Sequence, residues 1–190
     1  MTHPVRLPFD PIARAAELWR ARWGEDSKSV SMATATSVMR VQQLLIGQFD
    51  AIAGRQGLTF ARYEALVLLT FSRDGRLSMT RIGERLMVHP TSATNIVQRL
   101  VAQGFVERVP NQEDRRGAFA VITPEGRAAM EAVTEDLEEV DFGLSMLDAE
   151  AHGALFALLR TVRVGARDFD PEQSDPAAQR GQHGDPSGVS

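Results

Sequence analysis

Only three residues, Met87-Val88-His89, separate two segments of helical hydrophobic spacing, and so short a link forces the two helices to cross in contact. The first segment, Met79 to Leu86, turns Ile82 and Leu86 to one side. The second runs from Pro90 to Gly104, with proline at the first helical position and glycine where a left-handed residue ends the helix. Within it Ile96, Val97, Leu100 and Val101 recur as an apolar stripe, while Thr91, Ser92, Thr94, Asn95 and Gln98 carry hydrogen-bonding groups without fixed charge. Such groups match the donors and acceptors on base edges. An ordinary surface helix with a Ser/Thr-rich start has the same pattern, so the segments that follow decide between the two.

After Gly104 come two short β-type runs, Phe105 to Val109 and Ala118 to Ile122, around the polar turn Pro110 to Gly117. The spacing predicts a hairpin whose tip carries Arg115 and Arg116, with Asp114 placed to brace one guanidinium by a bidentate pair. An arginine held on a protruding ribbon suits a narrow, electronegative minor groove. A helix, a tight link, a helix with a polar face and then a charged ribbon form a winged helix-turn-helix pattern.

Charge is distributed to match. The chain has a formal net charge of −4, yet Arg76 to Arg127 holds eight arginines against five acids, a balance of +3. Glu131 to Glu150 holds eight acids and no base. A basic part around the polar helix and an acidic part away from it suit a DNA binder better than a protein that coats nucleic acid indiscriminately. Arg81 and Arg99 read as phosphate contacts.

The remaining helices supply the frame. Asp10-Pro11 starts a helix through Leu18 and Trp19 to about Trp23, ended by Gly24, and two tryptophans on so short a helix need cover from elsewhere, most naturally a partner subunit. A long helix is predicted from about Ala33 to Ala53. Thr59 caps the next, whose apolar run Ala65 to Leu69 points to burial on most sides. Thr123-Pro124-Glu125 opens a helix expected to reach about Phe142, and Leu147-Asp148-Ala149-Glu150 opens a last one with Leu155, Leu158, Leu159 and Val162 on its apolar side. From Phe169 the composition turns to Asp, Pro, Gln, Gly and Ser, which cannot bury enough surface to order itself.

Several chemistries are excluded or disfavoured. There is no cysteine, hence no disulfide, thiolate metal site or thiol redox chemistry. The four histidines lie in a tail, a linker and helix ends, away from any strained serine turn, and no phosphate-binding glycine loop is present, so no enzyme is expected. Asp148, Glu150 and His152 have the spacing of a metal site, but Asp148 fits an N-cap and Glu150 the positive end of a helix, so no metal or other cofactor is expected. His89 could meet a phosphate or be satisfied by backbone groups. The run Glu135 to Glu139 reads as a solvated face. No stretch approaches the ~18 apolar residues of a membrane span, and the N-terminus lacks a signal peptide's apolar segment, so a cytoplasmic protein without membrane attachment is expected.

The helix order, the helix-turn-helix and above all Glu113-Asp114-Arg115-Arg116-Gly117 followed by Val121-Ile122-Thr123-Pro124-Glu125-Gly126 closely resemble the MarR family of winged-helix transcription regulators. The resemblance covers roughly residues 33 to 162. It implies a homodimer on a pseudo-palindromic double-stranded DNA operator, usually a repressor released by a small aromatic or anionic effector. Asp114 and Arg116 match the family's wing Asp-x-Arg, whose arginine enters the minor groove. Thr91, Ser92, Thr94 and Asn95 match the major-groove-facing start of the recognition helix. The N-terminal helix also resembles the family's urate-responsive branch: Trp19 (or Trp23) and Arg108 fit its ligand site and Glu64 is a near match, but Ile96 stands where that branch has an arginine, so urate is not expected. Arg40 and Tyr63 are further ligand-site candidates.

The expected architecture is mainly α with a small β-hairpin wing. Residues 1–57 and 124–168 supply dimerisation helices, 58–123 the winged helix-turn-helix, and 169–190 a flexible tail. The competing reading is a winged-helix protein-interaction module that makes no base contacts, which would call for an apolar patch where this chain places wing-tip arginines.

Overall fold

The computed structural model describes residues 7–110 and 117–173. Helices α1 (Pro11–Trp23), α2 (Ser29–Ala53) and α3 (Phe60–Thr70) precede strand β1 (Arg76–Ser78). Helices α4 (Met79–Leu86) and α5 (Pro90–Ala102), strands β2 (Val106–Pro110) and β3 (Ala118–Ile122), and helices α6 (Pro124–Glu139) and α7 (Ala149–Gly165) follow. The residues read as caps, Asp10, Thr59, Thr123 and Asp148, act as caps, and Ser78 is a further one. Asp10 Oδ1 accepts the Ile12 and Ala13 N–H groups at 2.8 and 3.2 Å, and Thr59, Ser78, Thr123 and Asp148 each accept an N–H three residues on. Asp148 therefore caps α7, and Glu150 occupies the acid-favouring first turn.

Two helix boundaries differ from expectation. Helix α2 begins a turn earlier than Ala33, because the hydroxyls of Thr34 and Thr36 bond back to the carbonyls of Val30 and Met32 at 2.9 and 2.8 Å instead of competing with the helix. Helix α6 stops at Glu139 rather than near Phe142. Asp141 and Phe142 both take left-handed backbone at φ 49°, and Gly143 turns against Leu45 and Gln48 of α2, where a side chain would collide.

The core forms around α3. Leu66, Leu69, Ile82, Val97, Leu100, Val106, Val133 and Leu137 are almost fully buried, drawn from α3, α4, α5, β2 and α6. Phe49, Ile52 and Ala53 close it from the end of α2. Each such aliphatic side chain contributes about 1.5–3 kcal/mol by leaving water. Burial of α3 on most sides is not observed, since Val67 and Leu68 remain half-exposed on a cavity wall. Val101 likewise leaves the predicted stripe of α5 and is exposed, its place on the buried face being taken by Ala93.

The three strands form one antiparallel sheet in the order β1-β3-β2. Val106 pairs with Ile122 and Pro110 with Ala118, while β1 adds Leu77 opposite Ala120. The third strand is the short pairing that Leu77-Ser78 allows in the sequence, extended by one residue to Arg76. By contact, residues up to Gly143 form one compact unit and those from Leu144 a second, a different division from the functional segments expected above. In the second unit Phe169 packs under the guanidinium groups of Arg160 and Arg163 at 5.2 and 5.0 Å, and Arg163 Nε donates to Asp168 at 2.7 Å. The expected tail start at residue 169 is therefore held on α7, and residues 174–190 lie outside the described residues.

Gly126, in the first turn of α6, lies directly against the backbone of Phe105, so an added Cβ would strike that carbonyl oxygen. This close approach lets Thr123 reach both Gly104 O at 2.8 Å and the Gly126 N–H at 3.0 Å. Gly126→Ala should lower stability by about 1–3 kcal/mol, the usual cost of overpacking, measured as a shift in urea midpoint without change in slope.

Candidate nucleic-acid interface

Helix α4 ends with Met87 in left-handed backbone at φ 54°, and the N–H groups of Met87 and Val88 return to the carbonyls of Glu84 and Gly83. This reversal delivers the chain to His89, whose extended backbone and Nδ1 cap α5 by accepting the Thr91 N–H at 3.3 Å. Of the two roles open to His89, the structure shows the backbone one. Gly83 faces Ala93 across the crossing, and these small residues let α4 and α5 approach closely.

Ala93, Val97 and Leu100 hold α5 on the core, which turns Thr91, Ser92, Asn95, Gln98 and Arg99 outward. Thr94 differs. It is half-buried in the crevice between α4 and α5, and its hydroxyl donates to Pro90 O at 3.0 Å, leaving its oxygen lone pairs as the group available outside. Arg81 is exposed on α4. At its far end α5 is latched: Gln103 Nε2 donates to Gly57 O at 2.8 Å, and its Oε1 accepts from Arg62 at 2.7 Å.

Strands β2 and β3 lead outward from Val106 and Ile122 to Pro110 and Ala118. The residues expected at the tip, Asp114, Arg115 and Arg116, lie outside the described residues. Sequence reasoning missed Arg76, whose guanidinium lies 5.2 Å over the Phe119 ring on the same sheet. The signal that could have found it is the β1 pairing, which sets Arg76 and Phe119 near each other on β1 and β3.

The five ligand-site candidates do not converge within one chain. Tyr63 and Glu64 line a cavity of about 730 Å3 between α3, the end of α4 and α6, whereas Trp19, Arg40 and Arg108 are not on its wall. Trp19 instead stacks on Trp23, ring centroids 4.4 Å apart, and Arg40 donates to Gln43 at 3.3 Å on the same helix. Arg108 lies on the exposed part of β2, opposite Ala120. Tyr63 is buried, with its hydroxyl 3.0 Å from that of Thr134 across to α6. Glu64 keeps an exposed edge, but desolvation by its surroundings raises its carboxyl pKa above the ordinary value. Among the described residues no cluster of three or more His, Asp or Glu could hold a metal ion, and no helix is long and apolar enough to cross a membrane.

Known proteins share this geometry. The sequence model described as MarR family matches residues 56–117, from the turn before α3 to the wing. Sco5413, a MarR family transcriptional regulator from Streptomyces coelicolor, is 58% identical, with 74% of this chain and 97% of that one superposed at a TM-score of 0.69. The chain belongs to the MarR family. Its fold is accordingly that of the family's winged helix-turn-helix regulators. Another MarR family regulator from the same organism, Sco3205, was solved in complex with DNA; it is 25% identical, covering 74% of this chain and 89% of that one at a TM-score of 0.63. The transcriptional repressor YetL of Bacillus subtilis is 37% identical over 79 residues, which span 42% of this chain and 47% of that repressor.

Because the folded-state pKa of Glu64 is raised, its contribution to stability falls as pH rises from the ordinary carboxylate range through that raised value. Glu64→Gln should therefore raise the melting temperature at neutral pH, and the gain should vanish once acid protonates the parent carboxyl. Thermal melts of both proteins across pH check this.

Proposed function

We propose that the chain is a homodimeric transcriptional repressor that reads a pseudo-palindromic double-stranded DNA operator and is released by a small-molecule effector. The observation that carries this reading is the face of α5. Its apolar side is held by the core, while Thr91, Ser92, Asn95, Gln98 and Arg99 present hydroxyl, amide and guanidinium groups to solvent. A protein-interaction module calls for an apolar patch at the wing tip, where the sequence places Arg115 and Arg116 instead. Thr91, Ser92, Thr94, Asn95 and Gln98 then face base edges, Arg81 and Arg99 meet phosphates, and Arg115 and Arg116, with Asp114, act at the wing. Regulation rather than catalysis, in the cytoplasm where the DNA is, follows from the same reading.

Apolar surface left in a single chain supports the dimer. Leu18 and Trp23 on α1, Val38, Met39, Val41 and Leu44 on α2, and Phe156, Leu158 and Val162 on α7 are all exposed, and α7 has no buried residue. A twofold pair that buries these faces sets its two α5 helices in successive major grooves, about 34 Å apart. An effector in the cavity beside Tyr63 and Glu64 acts through its differential affinity for the DNA-competent and incompetent arrangements. Trp19, Arg40 and Arg108 join that site only if the partner subunit brings them to it.

Two experiments test this. In a salt titration on a duplex from the gene's upstream region, with an unrelated duplex of equal length as control, Arg116→Ala should weaken binding to both and flatten the salt slope by about one unit. Asn95→Ala should cost about 1–3 kcal/mol of discrimination with little change on the control. If both variants match the parent, the interface is misplaced. Sedimentation should show a dimer, and Phe156→Glu with Leu158→Glu should shift it toward monomer; a parent that sediments as monomer overturns the twofold arrangement.

A further inference from the structure

The cavity against α3 fits an occupant of one particular charge. At about 730 Å3 it falls within the roughly 300–1,000 Å3 of small-molecule sites. Its walls are aromatic and thioether side chains: Phe60, Tyr63 and Phe71 along α3, Met87 after α4, and Met130 and Phe142 across from them. Four carboxylates, those of Glu64, Glu131, Glu135 and Glu138, edge it against the single guanidinium of Arg85. Among the described residues none of the four forms an ion pair, whereas Asp136 on the same helix pairs with Arg55 at 3.1 Å.

Glu131, Glu135 and Glu138 fall at i, i+4 and i+7, so they form one stripe along α6. Like charges one turn apart repel and destabilise the helix, and a cation between them would relieve that repulsion. Aromatic faces opposite the stripe add cation–π attraction. The lips are apolar as well: Phe71 is 80% and Met87 70% exposed, and Met87 holds its side chain there from a left-handed backbone that glycine would adopt with less strain.

We infer that the cavity binds a lipophilic aromatic cation, its rings against Phe60, Phe71 and Met87 and its positive charge toward Glu131, Glu135 and Glu138. This rests on the reading of the chain as an effector-responsive regulator and replaces the anionic effector that family resemblance implies: an aromatic anion would meet four carboxylates and one guanidinium. Arg85, Leu86 and Met87 line the cavity and lead directly into His89 and Pro90, so an occupant touches the turn that sets the start of α5.

The test uses two ions of one shape and opposite charge, tetraphenylphosphonium and tetraphenylborate, titrated into the full chain by calorimetry. Saturable phosphonium binding at least roughly tenfold tighter than borate binding, a difference of about 1.4 kcal/mol, is expected. The Glu131→Gln, Glu135→Gln, Glu138→Gln triple variant changes only exposed positions, so its helicity by circular dichroism should match the parent while its phosphonium affinity drops by roughly the same factor. Equal affinity for the two ions, a preference for borate, or a triple variant that binds phosphonium like the parent overturns the inference. Duplex binding measured on the same samples separates the two readings. Selective DNA binding without phosphonium preference overturns the cation site alone, and phosphonium preference without selective DNA binding overturns the regulator alone.

Discussion

The burial of Ala93, Val97 and Leu100 is the constraint on which the rest of the reading head depends. These three side chains fix the rotation of α5 about its own axis, and a helix can hold its polar groups toward solvent only if its opposite side is pinned. Rotation by one residue, 100° on a helix of 3.6 residues per turn, would bury a polar side chain without a partner and expose an apolar one. Both changes cost more than the hydrogen bonds they could win. The small pair Gly83 and Ala93 sets how near α4 lies, and the left-handed turn at Met87 sets where α5 begins. Rigid presentation at the nucleic-acid face therefore originates in apolar packing several ångströms behind it.

That arrangement was largely legible in the sequence because its signals are local. Caps at Asp10, Thr59, Thr123 and Asp148, proline at the first position of α1, α5 and α6, and the two-residue period around the wing each specify one element without knowledge of its neighbours. What the sequence did not reveal is tertiary. Val67 and Leu68 look like core in a one-dimensional reading, and they border a cavity because α6 leaves space there. Phe142 looks like a continuing helix, and it is turned aside because the backbone at Gly143 abuts Leu45 and Gln48. The stripe Glu131, Glu135 and Glu138 was legible as a helix face but not as a cavity edge, since its meaning depends on α3 standing opposite.

The ligand-site candidates separate along the same line. Tyr63 and Glu64 are adjacent on α3, one buried and one exposed, and both border the cavity. Trp19, Arg40 and Arg108 were grouped with them by resemblance, and in one chain they occupy α1, α2 and the wing strand β2 instead. Proximity in a family's site does not follow from matching residue types when each sits on a different element. The aromatic and thioether residues that do surround the cavity are Phe60 and Tyr63 of α3, Met130 of α6, and Phe71, Met87 and Phe142 just past the ends of α3, α4 and α6.

The latch at Gln103 has a mechanical consequence. It ties the end of α5 to Gly57, in the turn where α2 ends, and to Arg62 at the start of α3, while the first turn of α5 is held by the His89 cap and by Ala93, buried in the core. Helix α5 is 13 residues long, about 20 Å at 1.5 Å per residue. A rod pinned at its latched end moves most at the opposite end, where Thr91 and Ser92 lie. A tilt of 5° there displaces Thr91 and Ser92 by about 1.7 Å, several times the tolerance of a good hydrogen bond. Because Ala93 is buried in the core two residues from Thr91, such a tilt also shifts the packing behind it, so the polar tip of α5 and the core move together.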